Sequence, residues 1–119
     1  MTIEQRTSGG VIILDVRGRL TTEALRDTPL IETVRPLLQG GHKQILLNLG
    51  GVPYVDTMGL CNIVETYVAT KRQGGALKLL GLTPHVREPL RVTRLLTVFE
   101  TYESEAEGLA SFGPGAPVI

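Results

Sequence analysis

The stretch QILLNLGGVPYVDTMGL, residues 44–60, decides the fold. It opens on an apolar run without polar alternation, the pattern of a strand covered on both faces in a parallel or mixed sheet. Gly50 and Gly51 punctuate it, a second short apolar run follows, and Asp56 and Thr57 then stand at the mouth of a helical pattern. Over residues 58–73, Leu60, Ile63, Val64 and Tyr67 recur at helical spacing, with Glu65, Lys71 and Arg72 among the polar positions. Gly74 and Gly75 are suited to end that helix, one of them in the left-handed conformation.

Upstream, IEQRT and VIILDVR flank a turn containing Gly9 and Gly10, which predicts an antiparallel hairpin. GRLTTEALRD then leaves the sheet. PLIETVRPLLQ places Leu30, Ile31, Val34, Leu37 and Leu38 on one helix face; Pro29 suits its first turn, and Pro36 predicts a kink or a shortened helix. Downstream, ALKLLGL reads as a strand. TPHVREPLRVTRLL reads as a helix with Thr83 as N-cap and Pro84 at the first helical position, short or bent because of Pro89. TVFETY is expected to be the last strand and ESEAEGLASF the last helix. The order is β-β-α-β-α-β-α-β-α, with right-handed crossovers wherever parallel strands are joined. One domain is expected over residues 1–112, with 113–119 a loose tail.

Composition narrows the function classes. A chain of 119 residues that is 42% hydrophobic can bury a core. Twelve basic and twelve acidic side chains balance, which argues against a broad nucleic-acid-binding face or a polybasic membrane anchor. No signal peptide is visible, and runs such as VIIL are too short to span a bilayer, so a soluble cytoplasmic domain with no direct membrane insertion is expected. Cys61, the single cysteine, excludes an internal disulfide; the helix pattern favours a packed residue over a reactive thiol. His42 and His85 read as surface residues, without enough clustered ligands for a metal. The glycine pairs at 40–41, 50–51 and 74–75 lack phosphate-loop spacing and fit turns and caps.

Asp56 or Thr57 is the natural N-cap of the central helix. Amides left free in a first turn, with the helix dipole, tolerate an added phosphate, and a phosphothreonine carries about −1.5 to −2 charges. The simpler reading is capping alone, which contributes about 1 kcal/mol and implies no regulation. Met58 is equally suited to core and to an interface, and Tyr54, Val55 and Met58 together suggest apolar surface beside the motif. The strand-to-helix connections should form one rim, the usual place for binding in such sheets.

Taken together, VIILDVRGRLT, QILLNLGGVPYVDTMGL and the stretch from KRQGGALKLLGLTPHV to the final ESEAEGLASF, in this order and at these spacings, resemble a STAS domain of the anti-sigma factor antagonist type. The resemblance covers nearly the whole chain, its most specific piece being VDTMGL before a helix. It implies an α/β fold with a mixed four- to five-stranded sheet packed by about four helices. Thr57 falls on the phosphoacceptor position, Asp56 on the neighbouring acid, and Gly59 and Leu60 on the helix start; the partner face would include Arg19, Thr21, Tyr54 and Met58. The implied cycle is partner switching. The unmodified protein binds an anti-sigma factor with a GHKL-type serine/threonine kinase fold, phosphorylation releases it, and a serine/threonine phosphatase resets it, with no cofactor and no chemistry of its own.

The chain departs from the family pattern at Thr57 (commonly serine), at Met58 (commonly small and polar), at the GRLT turn (often acidic), and at TRLL and Pro89. Two other readings stand beside switching. One is a STAS scaffold or accessory subunit of a stressosome-like or lipid-transport complex; the other is a thiol enzyme using Cys61.

Overall fold

Gly9 and Gly10 have φ of 56° and 82°, the successive left-handed angles that a type I′ turn requires. They fold Thr2–Ser8 (β1) onto Val11–Arg17 (β2) in an antiparallel ladder running from Thr2 opposite Arg17 to Ser8 opposite Val11. In this computed structural model, residues 1–27 and 29–112 are described; the tail expected over 113–119 lies outside the described residues. β2 pairs in parallel with Gln44–Gly51 (β3), β3 with Ala76–Leu80 (β4), and β4 with Thr101–Tyr102 (β5). The result is a mixed five-stranded sheet in the order β1-β2-β3-β4-β5.

Alternation along the strands sends side chains to two unlike faces. On one, Ile12, Leu14, Ile45, Leu47, Leu77 and Leu79 form the main core beneath Leu30–Gln39 (α2), Thr57–Arg72 (α3) and Pro84–Val92 (α4). On the other, Val11, Ile13, Leu46 and Leu80 meet Leu109 of Glu105–Ala110 (α5) and Phe112. Coverage on both faces accounts for the continuous apolar run of β3. α3 ends as expected: Gly74 takes φ 78°, its N–H donates to the Lys71 carbonyl, and the Gly75 N–H donates to Thr70.

The second face also carries polar groups. The Arg6 guanidinium donates to both carboxylate oxygens of Asp15 at 2.6 and 3.0 Å, and to Glu105 of α5 at 2.6 Å; Asn48 donates to Asp15 at 2.8 Å. Arg6 above all, with Asn48, holds the Asp15 carboxyl below its ordinary pKa against the opposing effect of burial. A depressed folded pKa stabilises the fold above the unfolded value of about 3.9 and ceases to do so as pH falls through the folded value. Asp15→Asn is therefore expected to flatten the loss of stability between about pH 5 and pH 3, checked by urea unfolding across that range. An unchanged acid limb would remove Asp15 from the account.

Several expectations are corrected. Residues 22–27 do more than leave the sheet: Thr22–Asp27 form a short helix (α1), making five α-helices among the described residues. α2 is not shortened at Pro36 but runs on to Gln39. Pro36 and Glu32 are both exposed, so the carbonyl that loses its helical donor is not trapped in the core. The last strand is only Thr101–Tyr102, because Arg94 adopts φ 65° and Leu95–Thr97 form a 3-10 turn. Thr83 holds the N-cap position of α4, yet its hydroxyl donates to the Val52 carbonyl at 2.7 Å instead of capping.

Candidate functional site

Two strand-to-helix connections converge at one end of the sheet. The Leu20 N–H donates to the Tyr54 carbonyl at 3.0 Å, and the Asp56 N–H donates to the Leu20 carbonyl at 3.1 Å. This stitch, a parallel bridge between Leu20 and Val55, lays residues 19–21 beside residues 54–56. Arg19 and Thr21 thus reach the rim that carries Asp56 and Thr57.

Asp56 is the N-cap of α3, and its carboxylate serves two helices. Oδ1 accepts from the Gly59 N–H at 2.8 Å; Oδ2 accepts from the Thr22 N–H at 2.8 Å and the Thr22 hydroxyl at 3.2 Å. Loss of water pushes the Asp56 pKa up, but the amides of Thr22 and Gly59, the Thr22 hydroxyl and the Met58 amide outweigh that and hold it below the ordinary value. The first-turn amides that sequence reasoning left open to a phosphate are therefore partly engaged by Asp56. Asp56→Ala removes the caps of both helices and is expected to cost about 2 kcal/mol in urea unfolding, whereas Asp56→Asn should lose much less, since asparagine also caps. Equal losses would deny the capping role.

Gly59 is placed by space. A Cβ there would strike the Leu20 carbonyl oxygen and meet Val55 Cγ2 at 2.6 Å. Only a glycine lets α3 start this close to the stitched segment. Leu60 packs against the main core.

Thr57, the first residue of α3, is exposed, and among the described residues its hydroxyl has no hydrogen-bond partner. Met58 and Tyr54 are 53% and 48% exposed, but Val55 is 3% exposed and belongs to the core, which corrects its place in the apolar surface. Thr57 borders a shallow hollow of about 390 Å³ between α3 and α4, lined also by Tyr54, Leu60, Pro89 and Val92. On the other side of Asp56, a polar hollow of about 590 Å³ is lined by Met1, Arg19, Thr21, Thr22 and Glu23.

Sequence reasoning missed Thr22, Pro89 and Val92. The Thr-Thr-Glu run at the start of α1 hints at a cap; nothing local points to the other two. Cys61, expected to be packed, is exposed on α3. His42 and His85 are exposed, and among the described residues no group of three His, Cys, Asp or Glu side chains could hold a metal. No helix among the described residues is long and apolar enough to cross a membrane.

The STAS domain family model matches residues 2–108. BtrV of Bordetella bronchiseptica is 29% identical over 77 residues, 65% of this chain and 66% of that protein. An anti-sigma-B factor antagonist of Staphylococcus aureus is 27% identical over 103 residues, 87% of this chain and 94% of its own. Among solved structures, the Bacillus cell fate determinant SpoIIAA in its phosphorylated form superposes with a TM-score of 0.72 at 14% identity, over 94% of this chain and all of that one.

Proposed function

The chain belongs to the STAS domain family, and from that premise we propose that it is an anti-sigma factor antagonist switched by phosphorylation of Thr57. The observation that carries the proposal is the exposed Thr57 hydroxyl at the start of α3, beside a carboxylate that already caps the helix. The unmodified rim presents Tyr54, Met58 and part of Leu60, flanked by Arg19 and Thr21, to an anti-sigma factor with a GHKL-type serine/threonine kinase fold. In this reading the partner is itself the kinase, and a serine/threonine phosphatase restores the unmodified form in the cytoplasm. The protein regulates and performs no chemistry of its own.

The local electrostatics support this direction of switching. A phosphoryl group on Thr57 stands next to Asp56, whose carboxylate already accepts from the Gly59 amide and faces the positive end of α3. The helix end tolerates the added charge in water, but burying that charge beside a second carboxylate in an apolar contact is costly. The relatives' names and the SpoIIAA fold are consistent with such a role.

Affinity capture with the unmodified protein, followed by ATP and phosphosite mapping, tests the proposal. A kinase-fold partner should be captured, and one phosphoryl group should appear on Thr57 and be absent from Thr57→Ala. A phosphate that persists in Thr57→Ala would place the acceptor elsewhere. Capture of other STAS subunits with no phosphate would favour a scaffold.

A further inference from the structure

Among the described residues β1 is an edge strand, and the turn at its end determines which of its backbone groups face outward. In a two-residue type I′ hairpin, the residues flanking the turn exchange hydrogen bonds, and pairs alternate from there. Ser8 flanks the turn opposite Val11, so Ser8, Arg6, Glu4 and Thr2 direct their N–H and C=O groups toward β2. Ile3, Gln5 and Thr7 direct theirs away from the sheet, with no further strand on that side among the described residues. Such an edge is a template for another strand.

We propose that β1 pairs antiparallel with β1 of a second copy of this chain, about a two-fold axis at Gln5, joining the two sheets into one. The side chains select this register. Outward-facing groups require odd-numbered residues to pair with odd-numbered ones. A two-fold placed at Glu4 would set Glu4 against Glu4, and one at Arg6 would set Arg6 against Arg6; like charges directly opposite repel. The two-fold at Gln5 pairs Glu4 with Arg6 twice, Ile3 with Thr7 twice, and Gln5 with itself, and it uses the full strand. An antiparallel two-fold pairing is also isologous and closes at the dimer.

The charges on β1 fit this use. Glu4 lies directly opposite Asp15 within the chain, a pair of acids for which Arg6 is the nearby cation. Arg6 is anchored by Asp15 and Glu105, yet its side chain stays 45% exposed. A second copy's Arg6 would reach Glu4 from its unshared side with the guanidinium already oriented. Because the joined strands run antiparallel, the two Thr57 rims would lie at opposite ends of the common sheet, each open to its own partner.

Sedimentation velocity across a concentration series up to about 1 mM tests the pairing, with amide hydrogen exchange as a second readout. The dimer is expected to form, and raising the concentration should protect the amides of Ile3, Gln5 and Thr7, while those of Glu4 and Arg6 stay protected throughout. Glu4→Lys should weaken association by about tenfold or more, since both cross-strand pairs become repulsive. Gln5→Pro removes an outward N–H that β2 does not use and should have a comparable effect with a native circular dichroism spectrum. Glu88→Lys, on α4 across the sheet from the Glu4 and Arg6 side chains, should change nothing. A protein that stays monomeric throughout would overturn the proposal. So would a dimer whose affinity is unmoved by Glu4→Lys and Gln5→Pro.

Discussion

Thr57→Glu is expected to weaken binding of the captured anti-sigma factor by well over tenfold, about 1.4 kcal/mol or more, while the circular dichroism spectrum stays native. Both halves of this expectation come from the position. Thr57 is exposed at the first position of α3, its hydroxyl is not committed to a bond among the described residues, and an acidic side chain is favoured in a first helical turn. The fold therefore has little reason to respond. The rim does: Tyr54 and Met58 flank the substitution, and a carboxylate among them must lose its water when a partner closes over it. Affinity equal to wild type in a folded variant would show that charge at this position does not control binding.

Gly59→Ala should produce the largest change in stability, about 3 kcal/mol or more, and lower the midpoint of thermal unfolding by about 10 °C. The added methyl group meets a backbone oxygen, that of Leu20, which cannot swing aside as a side chain can. Relief would require moving the segment held by the Leu20–Tyr54 and Asp56–Leu20 bonds, the same segment that brings Arg19 and Thr21 to the rim. Gly74→Ala makes the informative comparison. Gly74 has φ 78° and open space around its Cβ position, so the cost there is the left-handed conformation alone, about 1 kcal/mol. Thermal melts of the two variants separate crowding from backbone conformation; equal destabilisation would mean that the close approach at Leu20 is readily relieved.

Much of the fold was legible because its strongest signals are local. The unbroken apolar run of β3, the double glycine of the first hairpin and the glycine cap after α3 each act through neighbouring residues. α1 has no such signal, because six residues hardly complete a periodic pattern and its start depends on a carboxylate 34 positions away. β5 is shorter than TVFETY suggests because Val98 and Phe99 resemble strand residues, while the left-handed Arg94 and the following 3-10 turn give no clear local signal. The same distinction divides the site. A cap at Asp56 or Thr57 follows from a strand, an acid, a hydroxyl and a helix in succession; the structure gives it to Asp56. That Asp56 also binds Thr22, that Val55 is core and that Gly59 faces Leu20 are matters of tertiary packing, which no periodicity encodes.

The most direct measurement of the central claim follows the purified complex with its captured anti-sigma factor by native mass spectrometry after Mg-ATP is added. The complex should separate in step with the gain of one phosphoryl group on Thr57, and the complex with Thr57→Ala should persist unmodified. A complex that stays whole after Thr57 is fully phosphorylated, or one that separates just as fast with Thr57→Ala, would contradict the account.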